Sequence, residues 1–139
     1  LAELPNVRVV ITGGAAEDRI VQRVKELSGG KTLVILDRLN LREYTALTKL
    51  ASLFIANSTG PLHIAAAVGT PVIGLYPQVT PLNATRWGPY TEKKTIFSPV
   101  GKPGDCSTCV ASGSVLCECM ETIPVEEVFQ AAQSYLPVD

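Results

Sequence analysis

Apolar positions along the chain switch repeatedly between short β-branched runs and helical stripes. Val7 to Thr12 reads Val-Arg-Val-Val-Ile-Thr and ends in Gly13-Gly14, which predicts a first strand. From Glu17 to Leu27 the apolar residues Ile20, Val21, Val24 and Leu27 recur at helical spacing, and Ser28, Gly29 and Gly30 stop that helix. Thr32 to Leu36 predicts a second strand, and Leu41 to Ala51 a second helix with Leu41, Tyr44, Leu47, Leu50 and Ala51 on one face. Leu53 to Ala56 is a further short apolar run, bounded by the turn and cap residues Asn57, Ser58, Thr59 and Gly60. Pro61 suits a first helical position, where its missing N–H costs nothing. The helix continues through Val68, and Gly69 is placed to end it. Pro71 to Tyr76 is another buried strand. Strand, helix and strand form a βαβ unit, which crosses over right-handed into a parallel sheet. The alternation from Val7 to Tyr76 therefore predicts an α/β fold, a Rossmann-like doubly wound parallel sheet. The strands near Val9, Leu33, Phe54 and Ile73 are expected to be central and buried.

The pattern changes after Tyr76. Pro77 to Pro89 holds Pro77, Pro81, Gly88 and Pro89 and reads as loop with room for one helical turn. Thr95 to Phe97 suits a last short strand. Ser98 to Ser114 is rich in Gly, Pro, Ser and Cys and reads as irregular. Residues 124–136 form a closing helix, with Pro124 near its start, Glu126 and Glu127 in its first turn, and Val125, Val128, Phe129, Ala132 and Leu136 as its apolar side. No internal repeat or low-complexity tract interrupts this order.

Composition narrows the class. The 139 residues are 46% hydrophobic and 18% charged, enough for a packed core and unlike a disordered chain. One domain over residues 1–139 is the expectation. The net charge is −1 with no basic block, which argues against nucleic acid as a partner. No apolar stretch reaches bilayer length and no signal-peptide pattern opens the chain, so a cytoplasmic location is expected. The sequence opens at Leu1 and runs straight into a strand, so it reads as a piece of something longer.

The clearest candidate chemistry is at the turn Ser58-Thr59-Gly60. In open parallel sheets, ligands bind beyond the carboxyl ends of the strands, where helices begin. A helix start offers unpaired N–H groups and about half a positive charge. Ser58 and Thr59 add hydroxyls, Gly60 allows close approach, and His63 lies in the first helical turn. A phosphate or diphosphate is the natural guest. The same residues also suit an ordinary capped helix with a rim histidine, and turn chemistry alone leaves the two readings level.

The remaining constellations are weaker. Gly13-Gly14-Ala15-Ala16-Glu17 lacks the full dinucleotide-binding glycine spacing, and by itself best suits a tight turn with Glu17 supporting a helix start. Arg86-Trp87-Gly88-Pro89 leaves the carboxyl end of the strand ending at Tyr76; Arg86 can pair with phosphate, while Trp87 best suits a loop anchor. Cys106, Cys109, Cys117 and Cys119 combine C-x-x-C with C-x-C, which is off the zinc-ribbon spacing. A structural Cys-rich loop is expected, with zinc the minority reading and no metal assigned. His63 is the single histidine, so no Ser-His-Asp triad is arguable, and no carboxylate pair stands out.

The run Asn57-Ser58-Thr59-Gly60-Pro61-Leu62-His63-Ile64-Ala65-Ala66-Ala67-Val68-Gly69-Thr70-Pro71-Val72-Ile73-Gly74-Leu75-Tyr76 closely resembles the central motif of glycosyltransferase family 9, the heptosyltransferases of lipopolysaccharide assembly. Ser58 departs from that motif, standing where the family usually has Asp. Gly13-Gly14 with Glu17, Arg86-Trp87-Gly88-Pro89, Cys119-Met120-Glu121-Thr122-Ile123 and Val125-Glu126-Glu127-Val128 resemble further family segments. The resemblance implies the C-terminal, donor-binding half of a GT-B glycosyltransferase, with a Cys-rich loop at 99–120 and the N-terminal acceptor domain absent. It implies a nucleotide diphosphate sugar as partner, with ADP-heptose a candidate, and a glycan or lipid-linked, lipopolysaccharide-type acceptor. Gly13, Gly14, Glu17, Ser58, Thr59, Gly60, His63 and Arg86 are then the substrate-binding residues, with Glu17 at the ribose. The catalytic base is expected in the missing domain, so this chain alone should be inactive. No cofactor is implied, and peripheral association of the parent enzyme with the inner membrane is left open. A GT-B-shaped sugar-nucleotide epimerase half and a non-catalytic relic or interaction module are the alternatives.

Overall fold

A computed structural model describes residues 1–80, 82–100 and 118–136. The chain divides into two compact units, Leu1–Tyr44 and Thr45–Asp139. Cys106, Cys109 and Cys117, and with them most of the 99–120 loop, lie outside the described residues.

In the first unit, β1 (Val10–Gly13) is followed by a 3-10 turn (Ala15–Glu17), α1 (Asp18–Leu27) and β2 (Leu33–Leu36). The strands pair in parallel, from Val10 opposite Leu33 to Gly13 opposite Leu36. α1 ends where Gly29 and Gly30 take φ of 63° and 74°, and the Gly30 N–H donates to the Lys25 carbonyl at 3.0 Å. β1 and β2 are not the buried central strands that the pattern predicts: Val10 is 36% and Leu33 51% exposed. A two-stranded sheet has no interior strand, so each strand keeps an unpaired edge. Of the α1 stripe only Val21 is buried, while Ile20, Val24 and Leu27 are exposed. α2 (Leu41–Leu50) starts with a capping box. The Asn40 Oδ1 accepts from the N–H groups of Arg42 and Glu43 at 3.0 and 3.1 Å, and the Glu43 Oε2 accepts from the Asn40 N–H at 2.9 Å.

The second unit carries the larger sheet. β3 (Phe54–Asn57), α3 (Gly60–Ala67) and β4 (Val72–Leu75) form the expected parallel βαβ unit. α4 (Ala84–Trp87) is the single helical turn in the following loop, and β5 (Lys94–Phe97) pairs in parallel with β4. A 3-10 turn at Glu118–Thr122 and helix α5 (Val125–Tyr135) follow. The strand order β3-β4-β5 makes β4 the central strand, and Val72 and Ile73 are fully buried. β3 is an edge, with Ile55 36% exposed, contrary to the central position expected for Phe54.

Register decides which helix covers which face. Phe54, Val72 and Lys94 lie in one row, and Ala56, Gly74 and Ile96 in another, on one face of the sheet. Phe54, Ala56 and Ile96 pack with Val72 and Tyr76 against Leu62, Ala65 and Ala66 of α3. Ile73 and Thr95 share the opposite face, where the Thr95 hydroxyl meets the Tyr135 hydroxyl of α5 at 2.9 Å. The sheet is thus covered on both sides, the doubly wound arrangement. Gly74 is required by packing: an added Cβ would lie 2.5 Å from Cε2 of Tyr76 and 3.0 Å from Leu62 and Ile96 side-chain carbons. Past α3, Gly69 at φ 85° turns the chain, and the buried Thr70 hydroxyl donates to the Thr48 carbonyl at 2.8 Å. Among the described residues no helix is long and apolar enough to cross a membrane.

Candidate functional site

The β3–α3 turn stands beyond the carboxyl end of β3, as open parallel sheets place their ligand sites. Thr59 is the N-cap, in extended conformation, and contributes no side-chain cap. Its hydroxyl instead donates to the Asn57 carbonyl at 3.2 Å. The Ser58 hydroxyl donates to the Leu82 carbonyl at 2.9 Å, and the Ser58 N–H to the Leu75 carbonyl at 3.1 Å. Each hydroxyl has one proton, and here both protons serve backbone carbonyls. Pro61 has no N–H, and that of Leu62 is held by the Thr59 carbonyl at 3.2 Å. Among the described residues, the N–H groups of Thr59 and Gly60 are left without a partner at the helix start. Among the described residues nothing lies within 4 Å of where a Gly60 Cβ would be, apart from its chain neighbours and the helix's own backbone.

His63 is half-buried one turn into α3, and its Nε2 is buried without a hydrogen-bond partner among the described residues. Its ring meets Trp87 edge-on, with centroids 4.7 Å apart and planes at 70°. A buried orphan nitrogen is costly unless something completes it. Trp87 ends α4, which Asn83 caps by accepting from the Arg86 N–H at 3.1 Å. Its carbonyl accepts the Tyr76 hydroxyl at 2.8 Å. Tyr76 is fully buried, and that burial pushes its hydroxyl pKa above the ordinary tyrosine value. Gly88 permits the tight exit from α4, because a Cβ there would lie 2.5 Å from the Ala84 carbonyl oxygen. Trp87 anchors through its backbone, and the residue as a whole remains 48% exposed. Arg86 is exposed and its guanidinium makes no ion pair among the described residues.

Of the residues predicted to bind substrate, Ser58, Thr59, Gly60 and His63 come together at the α3 start, and Arg86 adjoins the Trp87 that packs on His63. Gly13, Gly14 and Glu17 are in the first unit. There the Glu17 carboxylate folds back, its Oε2 accepting from the Gly14 N–H at 2.8 Å, while the Glu17 N–H donates to the Gly14 carbonyl at 3.0 Å. A Cβ on Gly13 would lie 3.0 Å from that Oε2 and 3.1 Å from Leu36. The glycine pair thus first accommodates the chain's own helix-supporting acid, and the second carboxylate oxygen is left over. Three contacts had no local signal: Ser58 to Leu82, Tyr76 to Trp87, and Trp87 to His63. The α2 cap was findable from Asn40-x-x-Glu43.

The parallel strands, the βαβ crossover and the helix start beyond the sheet define a parallel α/β fold. A crystal structure of the glycosyl transferase family 9 protein from Veillonella parvula DSM 2008 superposes with a TM-score of 0.74, covering 92% of this chain and 36% of that chain at 24% identity. The family model of glycosyltransferase family 9 (heptosyltransferase) matches residues 2–115, and the chain belongs to this family. It is 34% identical over 100 residues to the lipopolysaccharide core heptosyltransferase OpsX of Haemophilus influenzae, matching 70% of this chain and 28% of that protein. The chain thus spans less than a third of the length of that relative.

Proposed function

We propose that this chain is the donor-binding part of a family 9 transferase. It holds a nucleotide diphosphate sugar, with heptose the candidate sugar, for transfer to a lipopolysaccharide-type acceptor. The observation that carries this is the α3 start, where among the described residues the space at the Gly60 Cβ position is open, the N–H groups of Thr59 and Gly60 are free, and the buried His63 Nε2 has no partner. A diphosphate seated there gains the positive end of the helix, and a turn of the His63 ring brings its buried Nε2 out to the phosphate. Ser58 and Thr59 shape the turn around it, and Arg86 supplies a nearby cation. Within the first unit, taken by itself, Glu17 keeps one carboxylate oxygen that Gly14 does not use, an acceptor suited to a hydroxyl. As the donor breaks, negative charge grows on the departing diphosphate, and a fixed donor array stabilises it without a metal ion being required. The OpsX relative is a lipopolysaccharide core heptosyltransferase, which supports the choice of sugar and acceptor. The catalytic base and acceptor cleft are proposed to lie outside these residues, and the reaction is placed in the cytoplasm.

Calorimetry with ADP, UDP and GDP tests the reading. At least one should bind, and more tightly than its nucleoside. Binding of none, or equal affinity for nucleoside and diphosphate, refutes the diphosphate site. Sugar transfer by this chain alone would refute the assignment of the base elsewhere.

A further inference from the structure

We propose that Tyr76 and Ser58 are positioning residues for His63, acting through the α4 segment and the Trp87 ring. The loop after β4 is fastened at two points by side chains standing just past strand ends. Ser58, after β3, holds the Leu82 carbonyl at 2.9 Å; Tyr76, after β4, holds the Trp87 carbonyl at 2.8 Å. Between the two points lies a single helical turn capped by Asn83, so fastening both ends fixes the turn. Tyr76 is fully buried in the α3 core cluster and cannot shift to follow a loose loop. The Trp87 ring then meets the His63 ring at 4.7 Å, edge to face, and limits where the imidazole can stand. The same geometry gives the departure at position 58 a meaning. A carboxylate at 58, which the motif resemblance would lead one to expect, has no proton to donate and would repel the Leu82 carbonyl. In this chain the hydroxyl at 58 is a latch for the loop.

The inference takes its ligand class, a nucleoside diphosphate, from the donor-site reading, but its geometry stands without a ligand. Trp87 is the single tryptophan of the chain, so tryptophan emission reports the surroundings of this one position. The experiment measures emission and acrylamide quenching of the full chain as wild type, Tyr76→Phe, Ser58→Ala and Ser58→Thr. Circular dichroism establishes that each is folded, and the half-buried Ser58 provides the milder variants. Without ligand, Tyr76→Phe and Ser58→Ala should make Trp87 more accessible and alter its emission, and Ser58→Thr should restore the wild-type values. With ADP, UDP or GDP, the first two variants should bind about three- to tenfold more weakly, the equivalent of one net hydrogen bond, with nucleoside affinity unchanged. Unaltered Trp87 signals in both folded variants overturn the proposal. Equal losses for nucleoside and diphosphate also overturn it, because they mark general loosening. Failure of wild type to bind any of the three diphosphates defeats the donor-site reading instead, and the ligand-free comparison still decides the positioning claim.

Discussion

Replacing Gly60 with valine perturbs the candidate site while sparing the fold. Gly60 is the first residue of α3, does not have a positive φ, and faces open space at its Cβ position. The substitution therefore strains no backbone and meets no neighbour. Its effect on stability should stay within about 0.5 kcal/mol, as for surface changes that touch no special feature. Binding should respond very differently, because the branched side chain fills the volume in front of the helix end. Losing one hydrogen bond to a charged acceptor costs about 1.5–3 kcal/mol. Holding the anion off the exposed helix end forfeits a further 0.3–1 kcal/mol or so. Together they amount to about 2–4 kcal/mol, or roughly 30- to 1000-fold in Kd. Calorimetry with whichever of ADP, UDP or GDP binds wild type measures this, with a denaturant melt as the control. A Gly60→Val chain that melts like wild type and binds the diphosphate with wild-type affinity would refute the placement over Gly60.

Three further outcomes follow from the same geometry. His63→Ala should weaken nucleoside diphosphate binding more than nucleoside binding in paired calorimetry; equal losses, or none, would make His63 a rim residue only. Gly74→Ala should destabilise the fold by about 1–3 kcal/mol, as overpacking does, because its Cβ would sit 2.5 Å from the buried Tyr76 ring. An unchanged urea midpoint would count against that packing. Burial raises the Tyr76 pKa in the fold, so above about pH 10 the unfolded chain sheds this proton more readily than the folded one and stability falls. Urea midpoints at pH 8 and pH 10.5 should fall less for Tyr76→Phe than for wild type, and parallel falls would remove Tyr76 as the cause.

Much of the architecture is legible in the residues because it rests on local rules. β-branched runs and helical stripes mark β1, α1, β2, α2, β3, α3 and β4 to within a few residues, and Pro61 and Gly69 mark the ends of α3. The helix start at Gly60 is equally local, since it needs only a cap, a glycine and a following apolar stripe. Burial is a different matter. The runs at Val10, Leu33 and Phe54 resemble that of Ile73, yet among the described residues only β4 has a strand on each side, and a short apolar run carries no count of its neighbours. The support of the site is likewise a tertiary decision. The bonds from Ser58 to Leu82 and from Tyr76 to Trp87 join residues 24 and 11 positions apart. They exist because the parallel sheet brings the ends of β3 and β4 beside one loop. In the linear chain Ser58 is an anomaly in a familiar motif; in the fold its hydroxyl has a carbonyl to hold, which a carboxylate could not do.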